Sequence, residues 1–528
     1  MQRTGATAML SMALAAAAPG ADWPQWGGRD ERNMVSPEKL LPATFSVGLA
    51  AGGGADANGP SNVRWVAALG SATYASPTIA GGRVFIGTND GQWRDARVAR
   101  SGGGVVVCLD ERTGRLLWRL LVPRYERKVH GSGFDDLLTG VCSSPTVLGN
   151  RAYLVTNRAE VLCLDTRGQA NGNDGPFREE GQYLAGDGNE PVALRPGDGD
   201  IVWRFDMIGQ VPCAPHDVTN CNVLVLGRHV YVCTGNGVHR MPSEPNPLPD
   251  APSLIVLDRD TGRLVGHDNE LIGRRVFHGQ WSSPTLARVG GRTLVLFGAG
   301  DGVCYAFEPL PARAGAGEKP AVLKKVWWYD CNPPEFKVRD GQPIDYWDGD
   351  ATRARVPRNY LGPSEIIATP VCHAGKVYAA VGRDPDHGKA RGILHCIDAT
   401  GTGNVTQTGR VWTCKDVGRS MSTVAVTDGL VFAADLAGDV RCLDARTGRT
   451  RWVHRTKQEI WGSPLAADGK LYVLTRKKTL WVFRASGVEQ LLAKVRLPRA
   501  SACTPVAANG VLYLATNRLL YALRRGGE

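Results

Sequence analysis

A phrase returns along this chain, and its return constrains the fold more than any other feature. It reads VVCLDERTGRLLW at 106–118, LIVLDRDTGRLVG at 254–266 and VRCLDARTGRTRW at 440–452. A lead-in of small residues and proline, followed by a glycine turn, precedes it. This lead-in is YASPTIAGGRVFIGT at 74–88, CSSPTVLGNRAYLVT at 142–156 and WSSPTLARVGGRTLVLFG at 281–298. It recurs as IATPVCHAGKVYAAVG at 367–382, WGSPLAADGKLYVLT at 461–475 and ACTPVAANGVLYLAT at 502–516. Degenerate copies at 220–234 and 421–435 bring the total to eight, and the late copies are spaced 40 or 41 positions apart at Val424, Pro464 and Pro505.

A unit of about 40 residues with glycine turns and a Trp-ended last segment predicts a four-stranded antiparallel blade. Alternation such as Leu471 and Val473 against Tyr472 and Leu474 favours strands over a helical repeat of similar period. Eight units predict an all-β, eight-bladed β-propeller. The last unit ends at LYALRRGGE without a fourth strand, whereas NVRWVAAL at 62–69 is an orphan strand carrying Trp65. Pairing the two would close the ring and remove an exposed sheet edge. Within the phrase, Asp and Thr-Gly suit the turn between third and fourth strands. Trp118, Trp203, Trp328, Trp412 and Trp452 are expected to pack on the neighbouring blade. The phrase therefore predicts architecture and not catalysis.

The start, MQRTGATAMLSMALAAAAPGADW, has the layout of a secretory signal. The expected organisation is a signal peptide at 1–21, an N-terminal extension at 22–61 and the propeller at 62–528, in a periplasmic or secreted protein. No other segment is apolar enough to span a membrane. Thirteen cysteines are present without any C-x-x-C, which argues against zinc-ribbon and thioredoxin chemistry. Cys108, Cys163, Cys396 and Cys442 share one place in the phrase and read as small core residues. Cys213 and Cys221 are near enough in sequence to bridge in an exported chain. The net charge of +11 is uneven: residues 441–528 carry +12 and the rest −1. That bias suits an anionic partner such as an envelope polysaccharide, while export disfavours nucleic acid. A monomer is expected.

The A/C-x-D-x-x-T-G-x-x-x-W pattern around eight sheets resembles the quinoprotein-type (PQQ-like) propeller repeat. That superfamily includes quinoprotein alcohol dehydrogenases and BamB-like exported propellers. The tracts DWPQWGGRDERNMVSPEKLLP, HGQWSSP, EIIATP, DPDHG, GRSMSTVA and IWGSP resemble exported bacterial members of unsettled activity. For a dehydrogenase the resemblance implies PQQ held between a vicinal disulfide and a Trp, with Ca²⁺ beside a catalytic Asp. This sequence departs from that pattern, because it has no adjacent cysteines and no C-x-x-C-H.

Blade topology predicts which face carries a site. Second-to-third loops and blade-to-blade loops emerge together, which would gather His130, His216, His239, His278 and His387 on one face. Three positions before the aligned proline, Trp281 and Trp461 are expected to face each other across the channel mouth and to stack a ring-shaped ligand. Asn220, Asn236 and Arg419 are further mouth candidates. Asp384, Asp386 and His387 in RDPDHG could hold a metal. The reading is an exported, non-catalytic propeller binding a protein or polysaccharide partner. The alternative is a quinone-dependent oxidoreductase with its cofactor at the mouth.

Overall fold

The computed structural model describes residues 21–49, 55–93, 95–99, 101–129, 132–238, 246–312, 319–343, 362–385 and 392–526. Residues 1–20, nearly all of the expected signal peptide at 1–21, lie outside the described residues.

Eight antiparallel sheets follow one another around the ring. Blade 1 comprises Thr78–Ala80, Arg83–Asn89, Gly104–Asp110 and Leu116–Val122, paired in that order. Blades 2 to 7 repeat the order over 146–206, 224–267, 285–330, 371–414, 425–455 and 465–496. Blade 8 takes three strands from 506–523 and its fourth from Val63–Ala68. There Trp65 sits opposite Ala522 and Val66 opposite Tyr521, so the ring is closed by the chain's own beginning, as expected. Two short strands, Ala321–Val322 and Gly403–Asn404, pair in parallel with the outer edges of blades 3 and 4.

The repeated phrase builds the joints between blades. Asp110 Oδ1 accepts from the Thr113 amide (2.8 Å) and hydroxyl (2.6 Å), and Asp258 and Asp444 do the same for Thr261 and Thr447. The glycine that follows adopts a left-handed turn, φ +70° at both Gly114 and Gly448. A Cβ at Gly114 would come within 2.6 Å of the Trp65 ring, and one at Gly448 within 2.5 Å of Trp412. The preceding blade's indole therefore lies directly on the glycine. Its Nε1–H donates to the same turn: Trp65 to Glu111 O, Trp118 to Thr166 O, Trp412 to Ala445 O and Trp452 to Ser486 O, each at 2.9 Å. Each buried indole thus anchors its polar edge in the next sheet.

In blade 4 the expected residue is off by one. Trp327 pairs with Ala306 immediately before the bulge, as Trp118 pairs with Cys108, and is fully buried. Trp328 is half-exposed beneath the Lys325 ammonium. CYAFE keeps step with VVCLD, Ala306 standing where Cys108 does, but the insertion at 308–324 replaces the fixed Thr-Gly-x-x-x-Trp spacing, and the indole role falls to Trp327.

A second joint runs around the axis. One position before each aligned proline stands a Ser, Thr or Asn, and in all blades but blade 5 its side chain is seen to accept the backbone N–H of the same position in the preceding blade. Ser76 donates to Ser144 Oγ (3.0 Å), Ser144 to Asn222 Oδ1 (2.7 Å) and Asn222 to Ser283 Oγ (3.0 Å). The run resumes from Thr369 through Thr423, Ser463 and Thr504 back to Ser76 at 2.8–3.1 Å.

Residues 21–36 circle the ring at the turn between first and second strands. Trp23 exchanges two 2.9 Å backbone bonds with Ile79 of blade 1, and Pro24 O accepts from Val147 of blade 2. Asp30 O and Glu31 O take the amides of Leu286 and Cys372 in blades 4 and 5. Asn33 brackets Val426 in blade 6, while Val35–Ser36 pairs in parallel with Ala466–Ala467 in blade 7. Ser36 Oγ reaches Ala507 O in blade 8. Arg32 has no solvent exposure and donates to Pro284 O, Trp26 O, Gln25 Oε1 and Val223 O. Burial pulls its guanidinium down to about 10, still protonated at neutral pH. Inner strands are sheet edges with unmet amides, and this segment meets them.

All thirteen cysteines are buried free thiols, so the Cys213–Cys221 bridge expected from spacing is not formed. Cys213 Sγ lies 3.5 Å from Met207 O, and Cys221 Sγ accepts from the Cys233 amide at 3.3 Å.

Candidate functional site

Because residues 21–36 meet all eight inner strands at one end, the axial channel is a blind funnel. Its cavity of about 370 Å³ has Trp26 of the circling segment among its lining residues. The wall residues follow from the repeat. All eight positions three before the aligned proline line it, among them Tyr74, Asn220, Trp281, Met421 and Trp461. The hydroxyl ring lies one turn of sequence further in, and its members line the cavity too.

Trp281 and Trp461, from blades 4 and 7, both line the funnel. Trp281 is fixed by its Nε1–H donating to Val218 O (3.1 Å). Trp461 stacks on Tyr74 with ring centroids 6.1 Å apart and planes at 30°, and the Arg476 guanidinium sits 4.2 Å from its centroid. Burial pushes the Tyr74 hydroxyl up from its ordinary value, opposed by Arg476. Trp461 Nε1 and Asn220 Oδ1 are shielded from solvent with no hydrogen-bond partner among the described residues. One donor and one acceptor therefore stand unmatched in the wall, an arrangement that native interiors rarely leave without a reason.

His216 and His278 come from consecutive blade-to-blade loops, yet their rings are only 4.2 Å apart at a 68° angle. The Trp281 ring lies 5.5 Å from His278 and 6.1 Å from His216. Gly237 makes the approach possible, since a Cβ there would fall 2.7 Å from both His216 Cβ and His278 O. Asp217, in a left-handed conformation at φ 56°, sets its carboxylate 3.5 Å from His216 Nε2. Asp384 Oδ2 lies 3.9 Å from His278 Nε2, and both aspartates line the funnel.

The Asp384 loop is held from behind. Arg419 donates to Asp384 O (2.6 Å) and Pro385 O (3.3 Å), and the Asp384 amide donates to buried Glu365 (3.1 Å). Burial, with the Asp384 charge added, pushes the Glu365 carboxyl up to about 8. Arg419 is thus a support for the funnel wall. Asn236 does not line the funnel: fully buried, it accepts from the Ala214 amide and donates to Leu248 O, both at 3.0 Å. His130, His239, Asp386 and His387 lie outside the described residues. Asp217 and Glu365 were not singled out from sequence, although Asp217 completes the tract VPCAPHD.

Outside the funnel rim, blades 6 to 8 expose Lys457, Lys477, Lys478, Arg496, Arg499 and Arg518. Their loops are tied together on this face: the Arg476 amide donates to Glu459 O, Leu497 to Lys478 O and Asn517 to Ala500 O. A lateral hollow of about 330 Å³ near Tyr125 also carries charges. These are matched among themselves, Arg158 and Arg204 both pairing with Glu160, so the funnel is the stronger candidate.

Fold and repeat together define an eight-bladed β-propeller. The family described as outer membrane protein assembly factor BamB has a sequence model that matches residues 390–527. Among solved structures, BamB from Moraxella catarrhalis is similar over 85% of this chain and 94% of its own, at 14% identity and a TM-score of 0.50. Quinohemoprotein alcohol dehydrogenase from Comamonas testosteroni is similar over 97% of this chain and 82% of its own, at 16% identity and a TM-score of 0.45. No curated protein sequence matches. No helix among the described residues is long and apolar enough to cross a membrane.

Proposed function

We propose that the chain is an exported, non-catalytic propeller whose funnel face binds an envelope partner, and that this partner is an acidic polysaccharide. The observation that carries the reading is the blind funnel, with two Trp side chains, a Tyr and unmatched polar atoms on its wall. Flat aromatic faces beside polar groups suit a sugar ring. The exposed cations on the rim of blades 6 to 8 suit the charge of the rest of such a chain. Export rests on the leader-like start of the sequence.

A protein partner is the second reading. It is favoured by Leu137, 51% exposed at the funnel rim, and by the likeness to an outer membrane assembly factor.

The quinone-dependent alternative fits less well. PQQ carries three carboxylates, whereas the described lining of the funnel includes Asp217 and Asp384 and no lysine or arginine. The sequence also offers no adjacent cysteines to stack on the cofactor.

The test is binding of heparin, polygalacturonate and neutral dextran by calorimetry at two salt concentrations. The reading expects the polyanions to bind, dextran to bind far more weakly, and the affinity to fall with salt. Lys477→Glu with Lys478→Glu should abolish retention while Arg476 stays on Trp461. Equal affinity for dextran, or indifference to the reversal, would overturn the polysaccharide. A chromophore taken up from PQQ and Ca²⁺, with dye reduction, would restore the oxidoreductase.

A further inference from the structure

We infer that His216, Asp217 and His278, with Asp384 as a fourth donor, form a transition-metal site in the funnel wall. One ligand-capable atom from each of the first three lies within 4.8 Å of the others. That spacing suits donors around one ion bound at about 2.0–2.2 Å.

The tautomer of His216 points the same way. Its Nδ1 lies 2.7 Å from Val238 O, and a carbonyl only accepts, so Nδ1 carries the proton. Nε2 then presents a lone pair toward the Asp217 carboxylate. Lone pair facing anion is repulsive unless a cation sits between them or Nε2 is also protonated. A backbone carbonyl orienting one ring nitrogen so that the other can ligate is the usual outer support of a metal-bound imidazole. Protonating His216 alone would answer Asp217 but place an imidazolium in edge contact with the His278 ring, centroids 4.2 Å apart. A single divalent ion meets both carboxylates while both imidazoles stay neutral.

Two imidazoles with carboxylates favour zinc, cobalt, nickel or iron over calcium. The donor set differs from the RDPDHG loop alone, since three of its four members come from the loops between blades 2 and 3 and between blades 3 and 4. Asp217 is 27% exposed by side chain and faces the cavity, so an open position on the ion would face the funnel. The inference is independent of the polysaccharide reading, because its test involves no glycan.

The full chain, freed of any affinity tag, is dialysed with Zn²⁺ and then against metal-free buffer, and its metal is counted by mass spectrometry. A parallel titration with Co²⁺ follows the visible ligand-field bands. The expected result is about one retained equivalent and an intense, low-symmetry Co²⁺ spectrum. His278→Gln should lower the affinity at least about 10-fold, and Asp217→Asn should do so without disturbing a buried residue. His454→Gln, a histidine paired with Glu489 on the outer strand of blade 6, should bind as the parent does. Absence of retained metal, an unchanged aquo-ion spectrum, or equal retention by Asp217→Asn would overturn the site.

Discussion

The two ends of the axial channel are made by the same eight strands and are treated in opposite ways. At one end, residues 21–36 hydrogen-bond the backbone of the inner strands in turn, and Arg32 is buried among four acceptors. At the other end the strands open into a cavity with unmatched polar atoms and two carboxylates against two histidines. Along each strand the contrast is only a few residues long. One position before the aligned proline, nearly every blade has Ser or Thr, and these residues bond blade to blade. Two positions earlier the ring runs through Tyr, Cys, Asn, Trp, Ile, Met, Trp and Ala. Repeated positions hold the ring together, and positions that break the repeat shape the cavity. Function is carried by the deviations from a scaffold that is otherwise uniform.

Perturbations should sort along this divide, and the largest effect belongs to the closed end. Arg32→Met removes a buried charge, leaves Pro284 O without its Arg32 donor and leaves Val223 O with the Thr146 hydroxyl alone. The expected loss is about 1–3 kcal/mol for each buried acceptor left short of its donor, read as a lower melting temperature, with heparin binding weakened only to the extent that the fold is. Next comes the hydroxyl ring. Ser463→Ala takes the acceptor from the Thr423 amide, and a buried N–H left alone costs about 1–3 kcal/mol. Chemical denaturation measures it, with Ser463→Thr expected to retain most of the stability.

A smaller effect comes from pH. Glu365 is held at about 8, above its ordinary 4.5, chiefly by burial. The folded state therefore keeps a proton that the unfolded chain has lost. Its contribution is complete below about 4.5 and is lost as pH rises toward about 8. The slope is at most about 1.4 kcal/mol per pH unit. Melting temperatures should fall from mildly acidic to mildly alkaline buffer, and Glu365→Gln should flatten that fall. A Glu365→Gln profile parallel to the parent's would assign the pH response elsewhere. Least costly to stability is Trp461→Ala: the ring is only partly buried, so folding should change little while ligand binding is lost.

Most of the architecture was legible because it is written eight times. Blade number, the closing strand and the packing of Trp on the neighbouring blade follow from a phrase whose residues perform the same job in most copies. Trp327 escaped because an insertion at 308–324 separates the third and fourth strands of blade 4, so the Thr-Gly-x-x-x-Trp spacing could not be counted and its half-exposed neighbour was chosen. The circling segment at 21–36 was invisible for the opposite reason. It occurs once, has no periodicity, and acts mainly through backbone groups that any side chain supplies. In the funnel, Trp281, Trp461 and Asn220 could be placed by counting back from proline, since strand register sets which residues face the axis. Asn236 could not, because it sits in a loop whose path the repeat does not specify. The pairing of His216 with His278 required knowing that Gly237 lets two loops from different blades touch.

The most direct test of the division between scaffold and site is a crossed comparison of Trp461→Ala with Ser463→Ala, two positions apart on one strand approach. Each variant is measured for melting temperature and for heparin affinity. The account predicts that Trp461→Ala loses at least about 10-fold in affinity, about 1.4 kcal/mol, at an unchanged melting temperature. Ser463→Ala should lose stability at an unchanged affinity. Affinity that is untouched by Trp461→Ala, or that follows stability in both variants, would contradict it.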